Sequence, residues 1–308
     1  MDKKAYFFSK KSLKILEELK EEGEVHSIFD TSINILTPSS NLLTLIAKSK
    51  ELYRNPISIV IDDNNFNKWK LRVGEKVLYK DSFILFSESN IRIDTTNKII
   101  WDSSFRYLGP LNTPDTICKN LKTLKFFILT MKWDKGMLPL VVEGLKPNPY
   151  TQRLKPFIEN LLNQDENNSS AKNYISLVRA SIGLGDGLTP SGDDFLSGFI
   201  VILYYFNKYL KQESYIEDFT REIVELIEKK TNILSATFLK LAVEGETFFL
   251  LREVIKDLLT RKSFDISHLK SLMEFGGSSG ASILAGLLFG ISYVLKFLYR
   301  ESKEVKTW

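Results

Sequence analysis

Gly183-Leu184-Gly185-Asp186-Gly187-Leu188-Thr189-Pro190-Ser191-Gly192-Asp193-Asp194-Phe195-Leu196-Ser197-Gly198 is where a helical pattern breaks into alternating glycines and restarts as the apolar run FLSGFIVILYYF. Glycines at this density carry a cost in chain entropy, so they point to backbone shapes or close approaches that other residues forbid. A dinucleotide-binding fingerprint is excluded because the preceding YISLVRA reads as helix rather than strand, and a Walker loop because no Lys follows the last Gly. What remains is a helix start. Thr189 or Ser191 is expected to cap it, Pro190 to preorganise its first turn, and its leading N–H groups to carry roughly half a positive charge. Such an end can bind an anion. Two readings of Asp193 and Asp194 stand side by side: both complement the dipole, or one caps while its neighbour works on a ligand, since consecutive helical residues point about 100° apart. A carboxylate beside a bound anion repels it unless a cation or a ligand amino group intervenes. This favours a Mg²⁺ bridge or a zwitterionic or amide-bearing ligand.

A second segment echoes the first. Gly276-Gly277-Ser278-Ser279-Gly280-Ala281-Ser282-Ile283-Leu284-Ala285-Gly286 shares with Ser191 to Gly198 the skeleton Ser-Gly, three residues, Leu, one residue, Gly, but lacks the carboxylates. Either two glycine-rich helix starts look alike by chance, or both begin central helices that converge on one pocket. In the second reading Asp193 and Asp194 form the acidic side. The donor side is Gly185, Gly187, Thr189, Ser191 and Gly192 from the first loop with Gly277, Ser278, Ser279 and Gly280 from the second. Thr231, Asn232 and Ser235 cap another helix or line the same pocket.

Around these segments the composition is that of a globular protein: 308 residues, 44% hydrophobic and 26% charged, with 42 Lys and Arg against 38 Asp and Glu. No block of like charge or Arg-rich stripe supplies the phosphate contacts of a nucleic-acid binder, so nucleic acid is not an expected partner. MDKKAYFFSKK lacks the apolar core and cleavage site of a secretory signal, and a cytoplasmic location is expected. From Val25 the runs VHSIFDTSINIL, ISIVI, KLRVGEKVLYKDSFILF and IRIDTTNKIIW are β-branched, aromatic and punctuated by Asp, Asn, Gly and Ser. Before them, Ser12 is expected to cap a short helix through Leu13, Leu16 and Leu19 that ends at Gly23. Thr113-Pro114-Asp115 is a helix entry, and the rest reads as helix. The expected class is α+β, with a β-rich antiparallel domain over residues 1–112 and a mainly α-helical domain with buried central helices over 113–308.

Within the helical part, QDENNSSAKN reads as an exposed turn, and IEDFTREIVELIEKK carries an amphipathic stripe through Ile216, Phe219, Ile223 and Ile227. FLSGFIVILYYF and ASILAGLLFGISYVLKFLY are apolar on all sides. Polar interruptions short of the ~17–20 residues of a bilayer span make them core helices rather than membrane segments, with Gly286 and Gly290 permitting close packing. Cys118, His26 and His268 cannot assemble a zinc site. Cys118 reads as a buried small residue, and the histidines as surface or packing residues in a strand start and a loop. Any metal would be a hard cation such as Mg²⁺ held by Asp193 and Asp194.

At Gly183 to Gly198 the chain resembles a bacterial family long known only as a domain of unknown function, marked by G-x-G-x-G-L-T-P-S-G-D-D-F-L-x-G. Agreement extends to Ser27, Phe29, Asn34, Trp101, Thr231, Ser235, Gly276, Ser279, Gly280 and Gly286. One branch, AllH-like, is the third subunit of oxamate carbamoyltransferase in allantoin degradation. The resemblance implies an enzyme subunit that, with partner subunits or as a homo-oligomer, interconverts oxalurate plus phosphate with oxamate plus carbamoyl phosphate. Gly277 and Ser282 depart from the family pattern, which often has His and Asp at those places. Backbone donors suit such chemistry because they stabilise charge on a carbonyl oxygen, although no histidine is placed as a general base. Two other classes stay open: a non-catalytic anion-binding regulatory subunit, and a Mg²⁺-dependent hydrolase or phosphotransferase using Asp193 and Asp194.

Overall fold

The computed structural model describes residues 1–103, 109–163, 171–210 and 223–301. It divides into two units: Met1–Ser104 with Thr247–Leu250, and Phe105–Glu246 with Leu251–Trp308. The first is β-rich and the second helical, an α+β protein as the sequence predicts.

Among the described residues nine strands build the first unit: β1 (Asp2–Ser9), β2 (Gly23–Ile28), β3 (Ser32–Leu36), β4 (Leu42–Ala47), β5 (Ser58–Ile61), β6 (Lys76–Lys80), β7 (Phe83–Phe86), β8 (Arg92–Asp94) and β9 (Ile99–Trp101). They lie in the order β5-β4-β3-β2-β6-β7-β8-β1-β9, and a further β5–β1 ladder closes the sheet on itself. Most ladders are antiparallel, while β4–β5, β1–β8 and β1–β9 are parallel. Closure removes the exposed edges of an open sheet. The interior holds Phe8, Ile33, Ile35, Leu43, Leu45, Ile59, Ile61, Val77, Ile84 and Ile93, all fully buried.

Two strands escape the sequence patterns. In β4 all six residues are buried, so the alternation that marks a half-exposed strand is missing. β1 begins with Asp2, Lys3 and Lys4, and its place depends on pairing with β5, β8 and β9, which lie 50 or more residues onward. The short helix α1 (Lys10–Glu18) is capped by Ser9 rather than Ser12. Ser12 is the third helical residue, and its hydroxyl accepts from the Ser9 N–H at 2.9 Å while the Ser9 hydroxyl accepts from the Ser12 N–H at 2.8 Å, a reciprocal capping box. Ser27, Asn34 and Thr44 form a buried hydrogen-bonded row across β2, β3 and β4, at 2.9 and 2.8 Å.

The helical unit contains α2 (Pro114–Thr130), α3 (Pro149–Asn163), α4 (Ala171–Ser181), α5 (Ser191–Leu210), α6 (residues 223–230), α7 (Ile233–Val243), α8 (Phe249–Leu259), α9 (Ile266–Met273) and α10 (Ser279–Glu301). The first residues of α8 belong to the β-rich unit. Thr113 caps α2 with Pro114 at its first position, as predicted, and Cys118 is buried on it. Of the predicted exposed turn, residues 164–170 lie outside the described residues, as do Ile216 and Phe219 of the amphipathic stripe, whose Ile223 and Ile227 are fully buried on α6.

The centre of this unit is the pair α5 and α10. A Cβ on Gly198 would collide with the Ile283 carbonyl, and one on Gly286 with the Phe195 carbonyl. Glycine therefore lets the two backbones touch, while Phe195, Phe199 and Phe289 fill the space beside the crossing. In one respect the sequence reading needs correcting: Ser279–Lys296 forms an uninterrupted 18-residue window apolar and long enough for a membrane span. However, 83% of it is buried by the surrounding chain, which is the environment of a core helix.

Candidate functional site

Both glycine-rich segments begin central helices, and their first turns meet. The Thr189 and Ser279 hydroxyl oxygens are 3.0 Å apart, and those of Ser191 and Ser278 are 3.3 Å apart. The positive ends of α5, with 20 residues, and α10, with 23, are thus brought to one place.

Neither Thr189 nor Ser191 accounts for the start of α5. Pro190 occupies the capping position, its carbonyl accepting from the N–H groups of Asp193 at 2.9 Å and Asp194 at 3.1 Å. The Gly192 N–H donates to the Leu184 carbonyl at 2.7 Å. In α10, Gly280 N–H donates to Phe275 O and Ser282 N–H to Ser278 O. Several amides expected to face a ligand are therefore engaged by the chain itself. The prominent polar groups at the junction are the four hydroxyls and a carboxyl.

The loop between α4 and α5 is shaped for this meeting. At Gly185 φ is +121° and a Cβ would press on the Ser191 amide nitrogen, so the turn excludes side chains for two reasons. Tyr150 of α3 donates to Asp186 at 2.7 Å and ties down the outer part of the loop. Gly187 is exposed at the rim with φ of +90°. Gly187, Leu188, Gly276 and Gly277 are exposed, Thr189, Ser278 and Ser279 are half-buried, and Asp193 and Asp194 are buried.

The two aspartates divide their tasks. Asp193 accepts from the Gly183 N–H at 2.8 Å through Oδ1 and from the Thr231 hydroxyl through Oδ2. Burial raises its pKa, and the bonds from Thr231, Gly183 and Ser235 oppose that rise. It fastens the end of α4 to the start of α7. Asn232 caps α7 through bonds to Leu234 N and Ser235 N, and its amide donates to Leu188 O at 2.9 Å. Ser235 is buried, and its hydroxyl lies 3.4 Å from Leu188 O. Thr231, Asn232 and Ser235 thus hold the loop from behind.

Asp194 turns the other way, toward Thr189 and Ser279. It is 8% exposed, and its Oδ2 is buried without a hydrogen-bond partner. Burial pushes its pKa up to about 7; the Ser279 bond lowers it, the Asp193 charge raises it and the Thr189 bond lowers it. A buried carboxyl oxygen without a donor is costly, and such groups concentrate where ligands bind.

Both Asp193 oxygens are already engaged, and among the described residues no group of three or more His, Cys, Asp and Glu side chains could hold a metal. Ser282 is fully buried and accepts from Met137 N–H at 3.3 Å. Gly277 is exposed. The surrounding supports, Tyr150, Gly136 and Asn148, carried no sequence signal, because their roles come from contacts across the fold. His268 lies on α9, not in a loop, and its Nδ1 is 2.7 Å from buried Asp257; His26 lies in β2 beside Ser27.

Two family models match the chain. Residues 181–291 match the one described as oxamate carbamoyltransferase subunit AllH, and residues 4–100 match the AllH family N-terminal domain. No solved structure matches it.

Proposed function

The chain belongs to the AllH family, and from that premise we propose that it is an oxamate carbamoyltransferase subunit that holds a small anionic reactant between the starts of α5 and α10. The observation that carries this reading is the meeting of the Thr189–Ser279 and Ser191–Ser278 hydroxyl pairs at the two helix starts, the first pair beside a buried carboxyl with an unpartnered oxygen. Hydroxyls can rotate their protons toward an incoming phosphate or carboxylate, and two helix dipoles add to the attraction. Gly185, Gly187, Gly192, Gly277 and Gly280 shape the surrounding backbone, and Thr231 and Ser235 brace it.

Carbamoyl transfer also needs a proton acceptor for the attacking amide nitrogen. Asp194 supports that role, since a carboxyl poised near neutrality can take and return a proton at working pH. Asp193 acts as a positioning residue through Gly183 and Thr231. No step is assigned to a metal. Partner subunits follow from the family description, which is of a subunit. The place of the reaction in allantoin nitrogen catabolism and a cytoplasmic location belong to the same proposal.

The test is reconstitution with the partner subunits of the transferase. Carbamoyl phosphate formation from oxalurate and phosphate, lost on omitting this chain and on Ser279→Ala together with Thr189→Ala, supports the reading. Full activity with the double variant contradicts the site. Activity retained while a bound anion only modulates it would make the chain a regulatory subunit.

A further inference from the structure

Asp194 Oδ2 is buried and lacks a donor, while the hydroxyls of Thr189 and Ser279 lie beside the carboxyl at the meeting of two helix starts, where Ser191 and Ser278 also touch. These groups make opposite demands on a ligand. The hydroxyls and helix ends favour negative charge, whereas an ionised carboxylate repels it and accepts only N–H or O–H donors. One molecule satisfies both when its anionic group and a hydrogen-bond donor are separated by a bond or two. We infer that Asp194 is the specificity-determining residue of this site, reading the terminal N–H₂ of a small anion that carries a primary amide. The inference rests on the small-anion reading above and adds to it which end of the ligand faces which wall.

Asp193 already directs both of its oxygens at donors of the chain, so the unpartnered acceptor is that of Asp194. The groups that bear on Asp194 are Asp193 on its own helix, Thr189 in the loop before α5 and Ser279 at the head of α10. The two hydroxyls can each turn toward the ligand's charged end. The amide then supplies the donor that Oδ2 lacks. A site built around a buried acceptor rejects an isostere without the donor far more strongly than an apolar pocket rejects a missing methylene, because the acceptor is left unpaired. Oxamate and carbamoyl phosphate both fit this description. Oxalate replaces the amide with a second carboxylate, and acetyl phosphate keeps the carbonyl but replaces the NH₂ with a methyl group.

The experiment is calorimetric titration of the full chain, assembled with its partner subunits, at a pH about one unit above neutrality, where Asp194 is mostly ionised. The probes are oxamate against oxalate and carbamoyl phosphate against acetyl phosphate. Wild type is expected to favour each amide by on the order of 10- to 100-fold. Asp194→Ala should erase most of that preference while still binding the anions, and Asp194→Asn, which retains one acceptor, should fall between. Folding of each variant is checked by its thermal midpoint, which removal of an unpaired buried carboxyl should not lower. Equal affinity for amide and isostere in wild type, or an unchanged preference in a folded Asp194→Ala variant, overturns the inference and leaves the anion site standing. Binding of none of the four probes overturns the anion site itself, and the inference with it.

Discussion

Thr189 Oγ1 and Ser279 Oγ, 90 residues apart in the chain, lie 3.0 Å from each other at the heads of the two central helices. Their contact joins the loop that precedes α5 to the first residue of α10. If both hydroxyls serve one ligand, their removal is not additive. Thr189→Ala and Ser279→Ala should each lower phosphate affinity by on the order of tenfold, with a smaller second loss in the double variant. Calorimetry on the four corners of the cycle measures this.

Gly286 packs where a Cβ would meet the Phe195 carbonyl. Gly286→Ala must push α5 and α10 apart along a contact filled by Phe195 and Phe289. A loss of about 1–3 kcal/mol is expected, read as a lowered urea midpoint at constant slope. An unchanged midpoint would mean that the helices cross less closely.

Asp193 uses one oxygen for Gly183 and the other for Thr231. Asp193→Asn sets an amide N–H₂ against one of these donors. A destabilisation of about 1–3 kcal/mol should follow, with weakened anion binding because the loop loses its anchor. Thr231→Val should cost stability through the same bond, in urea unfolding of the same kind.

Much of this arrangement can be read in the sequence, and the unread part has a physical cause. The glycine density, Pro190 and the Ser-Gly echo locate both helix starts because these features act over a few residues. Thr113 as a cap and the apolar helices are legible for the same reason. β1 and β4 are not legible in it, because one owes its place to distant partners and the other is buried on both faces. The distinction between Asp193 and Asp194 follows from where Gly183, Thr231 and Ser279 come to rest, which depends on the packing of α4, α7 and α10. Even the cap of α1 shifts by three residues, from Ser12 to Ser9, since a capping box contains two serines and local spacing does not say which leads.

Asp194 also ties stability to pH. In the folded chain burial holds its pKa at about 7, above the ordinary carboxylate value of 3.8. Between those values the folded state binds more protons than the unfolded state, so this contribution is fully present below the lower one and is lost as pH rises through the upper one. The loss is on the order of 4 kcal/mol. Measured by urea unfolding, Asp194→Asn should therefore gain on wild type between about pH 4 and pH 8. Parallel pH profiles for the two proteins would contradict the buried, unpaired state of the carboxyl.

The most direct measurement is a crystal structure of the chain with oxamate and phosphate. The account predicts an anion at the heads of α5 and α10, its oxygens replacing the mutual Thr189–Ser279 and Ser191–Ser278 contacts, and the oxamate amide against Asp194 Oδ2. A ligand bound elsewhere, with both hydroxyl pairs intact and Asp194 still without a donor at saturating concentration, would contradict it.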